Sequence, residues 1–337
     1  MVRLADLIGR ERPEDPKKAA SKPAAAPAAV SQPAGAAAAP QRMPFPRAGE
    51  PGISRESAAL GAAYASLVAC VQELFRQVRE GQPRQLAAAT AAVQRLPVLQ
   101  PGQYEAVLKV SDAHAAQHYL VTHSVQTAWL ASHLGRLQGY EDGTAHGLAL
   151  AGLLIALDMA SQIEAPGAEA TAAGTGVWKV VEHTPAQIAS QLRQSHDAAR
   201  KALDAAGAGG AGGDGLPAAI LAVADLYDAL THPRSYRRPI NPAHAVKLLI
   251  DAASDQLYRR VVKGLVDELS LYPRGSLVKL STNEIGVVEH ANHQAPLRPI
   301  VLIQQDANRG AVVPPRPVNL AEHPLMHVKD ILVDERA

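Results

Sequence analysis

Apolar residues recur at helical spacing over most of the chain. Leu60, Tyr64, Leu67, Val71, Leu74, Phe75 and Val78 follow one another at three- and four-residue steps or as direct neighbours, the stripe of an amphipathic helix. Gly81 and Pro83 end it, and a second helix runs through Leu86, Ala89, Val93 and Leu96. Residues 104 to 137 form a longer helical region carrying His114, His118, His123 and His133. Residues 147 to 160, read around Leu148, Leu150, Leu153, Leu154, Ile155 and Leu157, are apolar on every face, so this helix should be central and buried. A small-residue, Gly-rich stretch at 165 to 176 reads as a loop, and 177 to 206 as helical again, with Glu182-His183-Thr184-Pro185 at a helix start. The Gly/Ala run at 207 to 215 is a flexible loop. Further helices are predicted over 221 to 231, from Pro242 onward, and over 257 to 269.

After Tyr272 the period changes from helical to alternating. Residues 275 to 281 and 284 to 288 flank a Thr282-Asn283 turn, the pattern of a β-hairpin. Residues 299 to 303 add a third strand, and Val318-Asn319-Leu320 suggests a fourth. The predicted fold is mainly α, with a small C-terminal antiparallel β segment. The first fifty residues stand apart. Residues 1 to 12 have the spacing of a short amphipathic helix through Val2, Leu4, Leu7 and Ile8, either a docking peptide or a frayed terminus. From Pro13 to Pro51 the chain is rich in Ala and Pro, a composition that breaks helices and buries little, and it reads as a disordered linker. The expected organisation is a disordered N-terminal segment at 1–53, a helical pair at 54–103, a helical core at 104–271 and a small β segment at 272–337.

Composition narrows the function without choosing it. Lys plus Arg number 33 against 32 Asp plus Glu, so the charge balance gives no sign of a nucleic-acid partner or a polybasic membrane patch. No uncharged apolar run reaches the twenty or so residues of a membrane span, and the start lacks the pattern of a signal peptide. The lone cysteine, Cys70, excludes an internal disulfide and fits a reducing cytoplasm; its apolar surroundings suggest a packed thiol. A cytoplasmic location is expected.

The candidate chemistry centres on the helix at 221 to 231. Asp225 and Asp228 interrupt an otherwise apolar run and, three residues apart, share a helix face. Buried carboxylates are costly unless a metal, a histidine or a hydrogen-bond donor meets them. For Asp228 the simplest partner is Arg234 or Arg237 in the loop that follows. His232, His290 and His293 read as surface or packing residues. The Gly-rich loop at 207 to 215 lacks the preceding strand and the following Lys-Ser/Thr of a nucleotide-binding loop.

The order His123-Ser124, an apolar helix, Glu182-His183, Ser195-His196, then Ala222 to Leu230 with Arg234-Ser235-Tyr236-Arg237, resembles the HD-GYP branch of the HD phosphohydrolase superfamily. The tail from Tyr272 to Leu280 and Ile285 to Val288 also resembles that family's small terminal segment. The resemblance covers roughly residues 104 to 337. It implies an HD-type helical bundle in which two or three iron or manganese ions activate water to hydrolyse cyclic di-GMP. It matches His123, His183, His196 and Asp225 to metal ligands.

The sequence departs from that pattern where the chemistry is concentrated. The His-Asp doublet on the central helix is replaced by Ile155-Ala156, which offer no ligand atoms. Within the family the aspartate of that doublet bridges the two ions. Met159 stands where the assisting lysine is expected, Ser195 where a second histidine is, and Tyr119 where some members carry an acidic ligand. The Gly-Tyr-Pro loop is absent. Asp158 lies about 200° around the helix axis from Ala156 and should not replace the missing ligand. Arg234 and Arg237 are candidate phosphate-binding residues. The expectation is a degenerate HD-GYP-like protein, a pseudoenzyme of bacterial signalling, with no cofactor, or iron or manganese if any. Its partner would be cyclic di-GMP or another signalling protein. Two alternatives stay open: a metal-dependent phosphodiesterase with a reduced centre built from His123, His183, His196 and Asp225, and a structural interaction scaffold. Oligomeric state is not legible.

Overall fold

The computed structural model describes residues 55–113, 118–157, 184–209, 215–232 and 239–332. The readings made above for the N-terminal segment, for Asp158 and Met159, for His183, and for Arg234 and Arg237 lie outside the described residues. What is described is mainly α, with helices leading to a small antiparallel sheet, as the sequence pattern predicts.

Helix α1 (Arg55–Arg79) buries Leu60, Tyr64, Leu67, Val71, Leu74 and Phe75, the predicted stripe. Gly81, at φ +65°, takes the left-handed conformation beyond its end. Among the described residues α1 is the one helix long and apolar enough to cross a membrane by length and composition, over Ser57–Arg79. That stretch includes Glu73, Arg76 and Arg79, and its stripe packs on protein: α1 lies against α2 (Ala87–Val93), α3 (Tyr104–Ala113) and α4 (Tyr119–Leu137). The single helical region expected over 104 to 137 is two helices, α3 and α4.

Helix α4 is the centre of the bundle. Every residue from Leu120 to Gly135 is buried. Its tightest neighbour is α5 (Asp142–Leu154), the helix expected to be central, which starts five residues before the predicted position and ends at Leu154. The two cross where Gly152 meets Ala128, and a Cβ on Gly152 would lie within 2.6 Å of the Ala128 nitrogen. Only a residue without a side chain permits that approach.

The next four helices begin with strong local signals. Thr184 caps α6 (Pro185–Ala205) in a reciprocal capping box with Gln187, and Pro185 takes the first turn. Gly215, at φ +73°, precedes α7 (Leu216–Thr231), which is buried along nearly its whole length. Asn241 caps α8 (Pro242–Ala252) through the Ala243 N–H, and Asp255 caps α9 (Gln256–Leu269) through that of Tyr258. Helix α7 packs on α4, α6, α8 and α9, so its polar positions face other helices rather than water.

The sheet has the order β4-β3-β2-β1-β5 and is antiparallel throughout. The predicted hairpin is β1 (Leu277–Leu280) and β2 (Ile285–His290), turning at Asn283 with φ +68°. The predicted third strand is β3 (Ile300–Gln305). The fourth, β4 (Ala311–Asn319), is much longer than the three residues suggested by its sequence, and β5 (Val328–Ile331) was not anticipated. Three prolines obscure the alternation of β4. Val278, Leu280, Val288, Val301, Ile303, Val318 and Leu320 form a separate small core. Side chains fix this module to the bundle. Asn241 Nδ2 donates to the carbonyls of Leu277 and Leu332, Arg274 Nη1 lies 2.6 Å from Asp112, and His290 Nδ1 lies 2.6 Å from Glu105.

Candidate functional site

Three helices converge on one imidazole. His123 projects from the central helix α4 and is 2% exposed. Its Nδ1 lies 2.6 Å from Asp228 Oδ2 and its Nε2 lies 3.0 Å from Asp225 Oδ1, both on α7. The three-residue spacing that places both aspartates on one face thus brings them to opposite edges of one ring. Ser195, on α6, donates its hydroxyl to Asp225 Oδ2 at 2.7 Å. His232, just past the end of α7, brings Nδ1 to 3.0 Å from Asp228 Oδ1. The result is an unbroken polar chain, Ser195–Asp225–His123–Asp228–His232, set in an apolar bundle. Each of its four carboxylate oxygens faces a protein nitrogen or hydroxyl.

The electrostatics follow from this arrangement. Burial opposes a charge on His123, but hydrogen bonds to Asp225 and Asp228, with their charges, raise its pKa to about 9. Burial likewise opposes the Asp228 carboxylate, yet the His232 charge and the His123 hydrogen bond bring it down to about 2. His232 is raised despite its burial, mainly by the Asp228 charge. A ring with a carboxylate oxygen at each nitrogen is satisfied only as imidazolium, which donates from both. Of the two carboxylates Asp225 is the more exposed, its side chain 16% accessible against 3% for Asp228.

The structure therefore brings together two of the four residues matched to metal ligands, His123 and Asp225. His196 does not join them. Its Nδ1 lies 3.1 Å from the hydroxyl of Tyr258 on α9, and burial lowers its pKa. His183 lies outside the described residues, as do Arg234 and Arg237. Among the described residues Asp228 pairs with His123 and His232; the arginines expected from sequence lie outside them. His232, read from sequence as a surface or packing residue, is an ion-pair partner of Asp228, and its position four after Asp228 is the spacing that signals the pair. His290 and His293 contact Glu105 and the Asp267 carbonyl respectively. Tyr119 stacks at 6.0 Å on His123, where an acidic ligand would have stood. Ile155 and Ala156 follow the end of α5, Ala156 fully buried and Ile155 packed on the core.

A second buried polar node escaped the sequence reading. Glu268, on α9, accepts the backbone N–H of Gly102 at 2.7 Å and of Tyr104 at 2.8 Å. His133 Nε2 lies 3.0 Å from the same carboxylate, an ion-pair separation, with the ring turned off the line of a good hydrogen bond. Burial opposes its charge, but His133 and the two backbone donors hold the Glu268 carboxyl below its ordinary range. No local pattern announces this node, because its partners are more than a hundred residues apart.

The family resemblance implies metal ions, and the donor set can be tested against them. Two ligand atoms each about 2.1 Å from an ion and at right angles lie about 3 Å apart. The 3.0 Å between His123 Nε2 and Asp225 Oδ1 therefore suits either neighbours on one ion or a direct hydrogen bond. The rest of the shell decides. The second oxygen of Asp225 is held by a hydroxyl, His196 is turned to Tyr258, and no carboxylate stands at Ala156. Among the described residues no group of three His, Cys, Asp or Glu side chains is placed to hold a metal ion. This set does not fit a carboxylate-bridged iron or manganese pair.

The helical bundle followed by a small β-module is the arrangement in which this chain is similar to HD-domain proteins. Residues 277–336 match the family model described as a KOW domain associated with HD domain. The chain is 26% identical over 269 residues to a cyclic di-GMP phosphodiesterase of Pseudomonas aeruginosa. The match covers 75% of this chain, and it spans 64% of the length of that relative. No solved structure matches the chain.

Proposed function

We propose that this chain is an HD-GYP-like signalling protein of the cyclic di-GMP type that does not hydrolyse its nucleotide. It acts as a binding module for cyclic di-GMP or for another signalling protein, with no resident iron or manganese. The relative's activity supports the ligand class. The observation that carries the lack of hydrolysis is Ile155-Ala156 beyond the end of α5. By the resemblance, this is where a His-Asp doublet supplies the ligand bridging two ions. Neither side chain has a donor atom, and a dinuclear centre without its bridge cannot place a shared activated water.

The test uses the purified full chain: metal content by elemental analysis, cyclic di-GMP turnover with added Mn2+ or Fe2+, and binding by calorimetry. Nucleotide binding without turnover, and no stoichiometric metal, is the expected result. Turnover with stoichiometric iron or manganese overturns the reading. One observation favours a second reading, a phosphodiesterase with a reduced centre: the His123–Asp225 separation suits adjacent ligands of one ion. On that reading Asp225→Ala abolishes both metal binding and turnover; loss of neither rejects it.

A further inference from the structure

We infer that Ser195, Asp225, His123, Asp228 and His232 form a metal-independent clasp that joins α4, α6 and α7 in the place where the family resemblance puts an ion. This rests on the reading of the site just given and specifies what its residues do instead. The decisive residue is Ser195. A metal-ligating imidazole presents a lone pair to the ion, and beside a bare carboxylate that lone pair is repelled. A hydroxyl presents a proton and closes on the carboxylate directly, as Ser195 does on Asp225 Oδ2 at 2.7 Å. Serine at this position thus removes the need for a cation between α6 and α7.

The rest of the chain is closed in the same way. His123 reaches Asp225 at 3.0 Å and Asp228 at 2.6 Å, and His232 reaches the remaining Asp228 oxygen at 3.0 Å. Each link crosses between elements or ties the end of α7 to its own last turn. His196, the other residue of the pair on α6, is held away by Tyr258. Ser195 and Asp225 are accordingly positioning residues of the bundle, and their removal should loosen it whether or not metal is present.

The experiment measures thermal unfolding of the full chain, wild type, Ser195→Ala and Asp225→Asn, each in EDTA and in excess Mn2+. The clasp predicts a wild-type Tm that Mn2+ does not raise. Ser195→Ala, which leaves the fold's packing intact, should lower Tm by about 3–8 °C, equally in both conditions. Asp225→Asn should do the same or more. A wild-type Tm raised by Mn2+ and returned to the EDTA value by Asp225→Asn would overturn the clasp. So would a Ser195→Ala Tm equal to wild type. These outcomes are separate from hydrolysis: a protein that binds Mn2+ but does not cleave cyclic di-GMP sinks the clasp, and with it the absence of a resident metal, but leaves the proposed lack of hydrolysis standing.

Discussion

Asp228→Asn isolates the more deeply buried of the two carboxylates in the candidate site. The side chain is 3% exposed and lies between two imidazoles, 2.6 Å from His123 and 3.0 Å from His232. Asparagine keeps the size, removes the charge, and turns one acceptor oxygen into an NH2 group facing a ring N–H. The rise of His123 from 6.5 to about 9 corresponds to roughly 3 kcal/mol favouring its charged form, shared between Asp225 and Asp228. Breaking a buried ion pair costs about 3–5 kcal/mol, but His123 can relieve part of that by releasing its proton. Urea unfolding at pH 6 should therefore show the variant less stable by about 2–4 kcal/mol. The pH profile carries the sharper test. A raised histidine pKa contributes stability that is complete below 6.5 and lost as pH rises through about 9. A depressed aspartate contributes stability present above 3.8 and lost as pH falls through about 2. Wild-type stability should therefore decline on the alkaline side between about pH 7 and 9.5. In Asp228→Asn that decline should shrink by about half, because only Asp225 remains to hold the proton. Equal stability at pH 6, or an unchanged alkaline decline, would refute the reasoning.

Two further changes probe the frame around the site. Gly152→Ala places a methyl group against the backbone of Ala128, so α4 and α5 must separate; overpacking of this kind costs about 1–3 kcal/mol, read as a lower midpoint in thermal or urea unfolding. Glu268→Ala strands the N–H groups of Gly102 and Tyr104 and leaves His133 without its carboxylate. A loss of about 3–5 kcal/mol is expected, with faster amide exchange at Gly102 and Tyr104 than at sites in α6; unaltered exchange there would count against the node.

The sequence by itself determined most of the elements. Leu60 to Val78 had to be a one-sided helix, and Thr184-Pro185 marked a helix start; that Thr184, Asn241 and Asp255 cap their helices is seen in the structure. The strands after Tyr272 were legible from alternation and from the Asn283 turn. These signals are local, set by side-chain period and backbone conformation. The same local logic missed β5 and shortened β4, where prolines break the alternation and pairing partners are distant in the chain. For the site, the sequence singled out His123, Asp225, Ser195 and the apolar Ile155-Ala156. It could say that two carboxylates in an apolar helix required partners, but not which ones.

Only the tertiary structure decided that Asp228 meets His123 and His232, that His196 turns to Tyr258, and that Glu268 gathers the turn at Gly102 and Tyr104. Hydrogen bonds and ion pairs act over about 3 Å, between atoms that helix packing brings together from positions up to 166 residues apart. Sequence period fixes which face of a helix is polar. The crossing of α4 with α7, and of α6 with α7, fixes what that face touches.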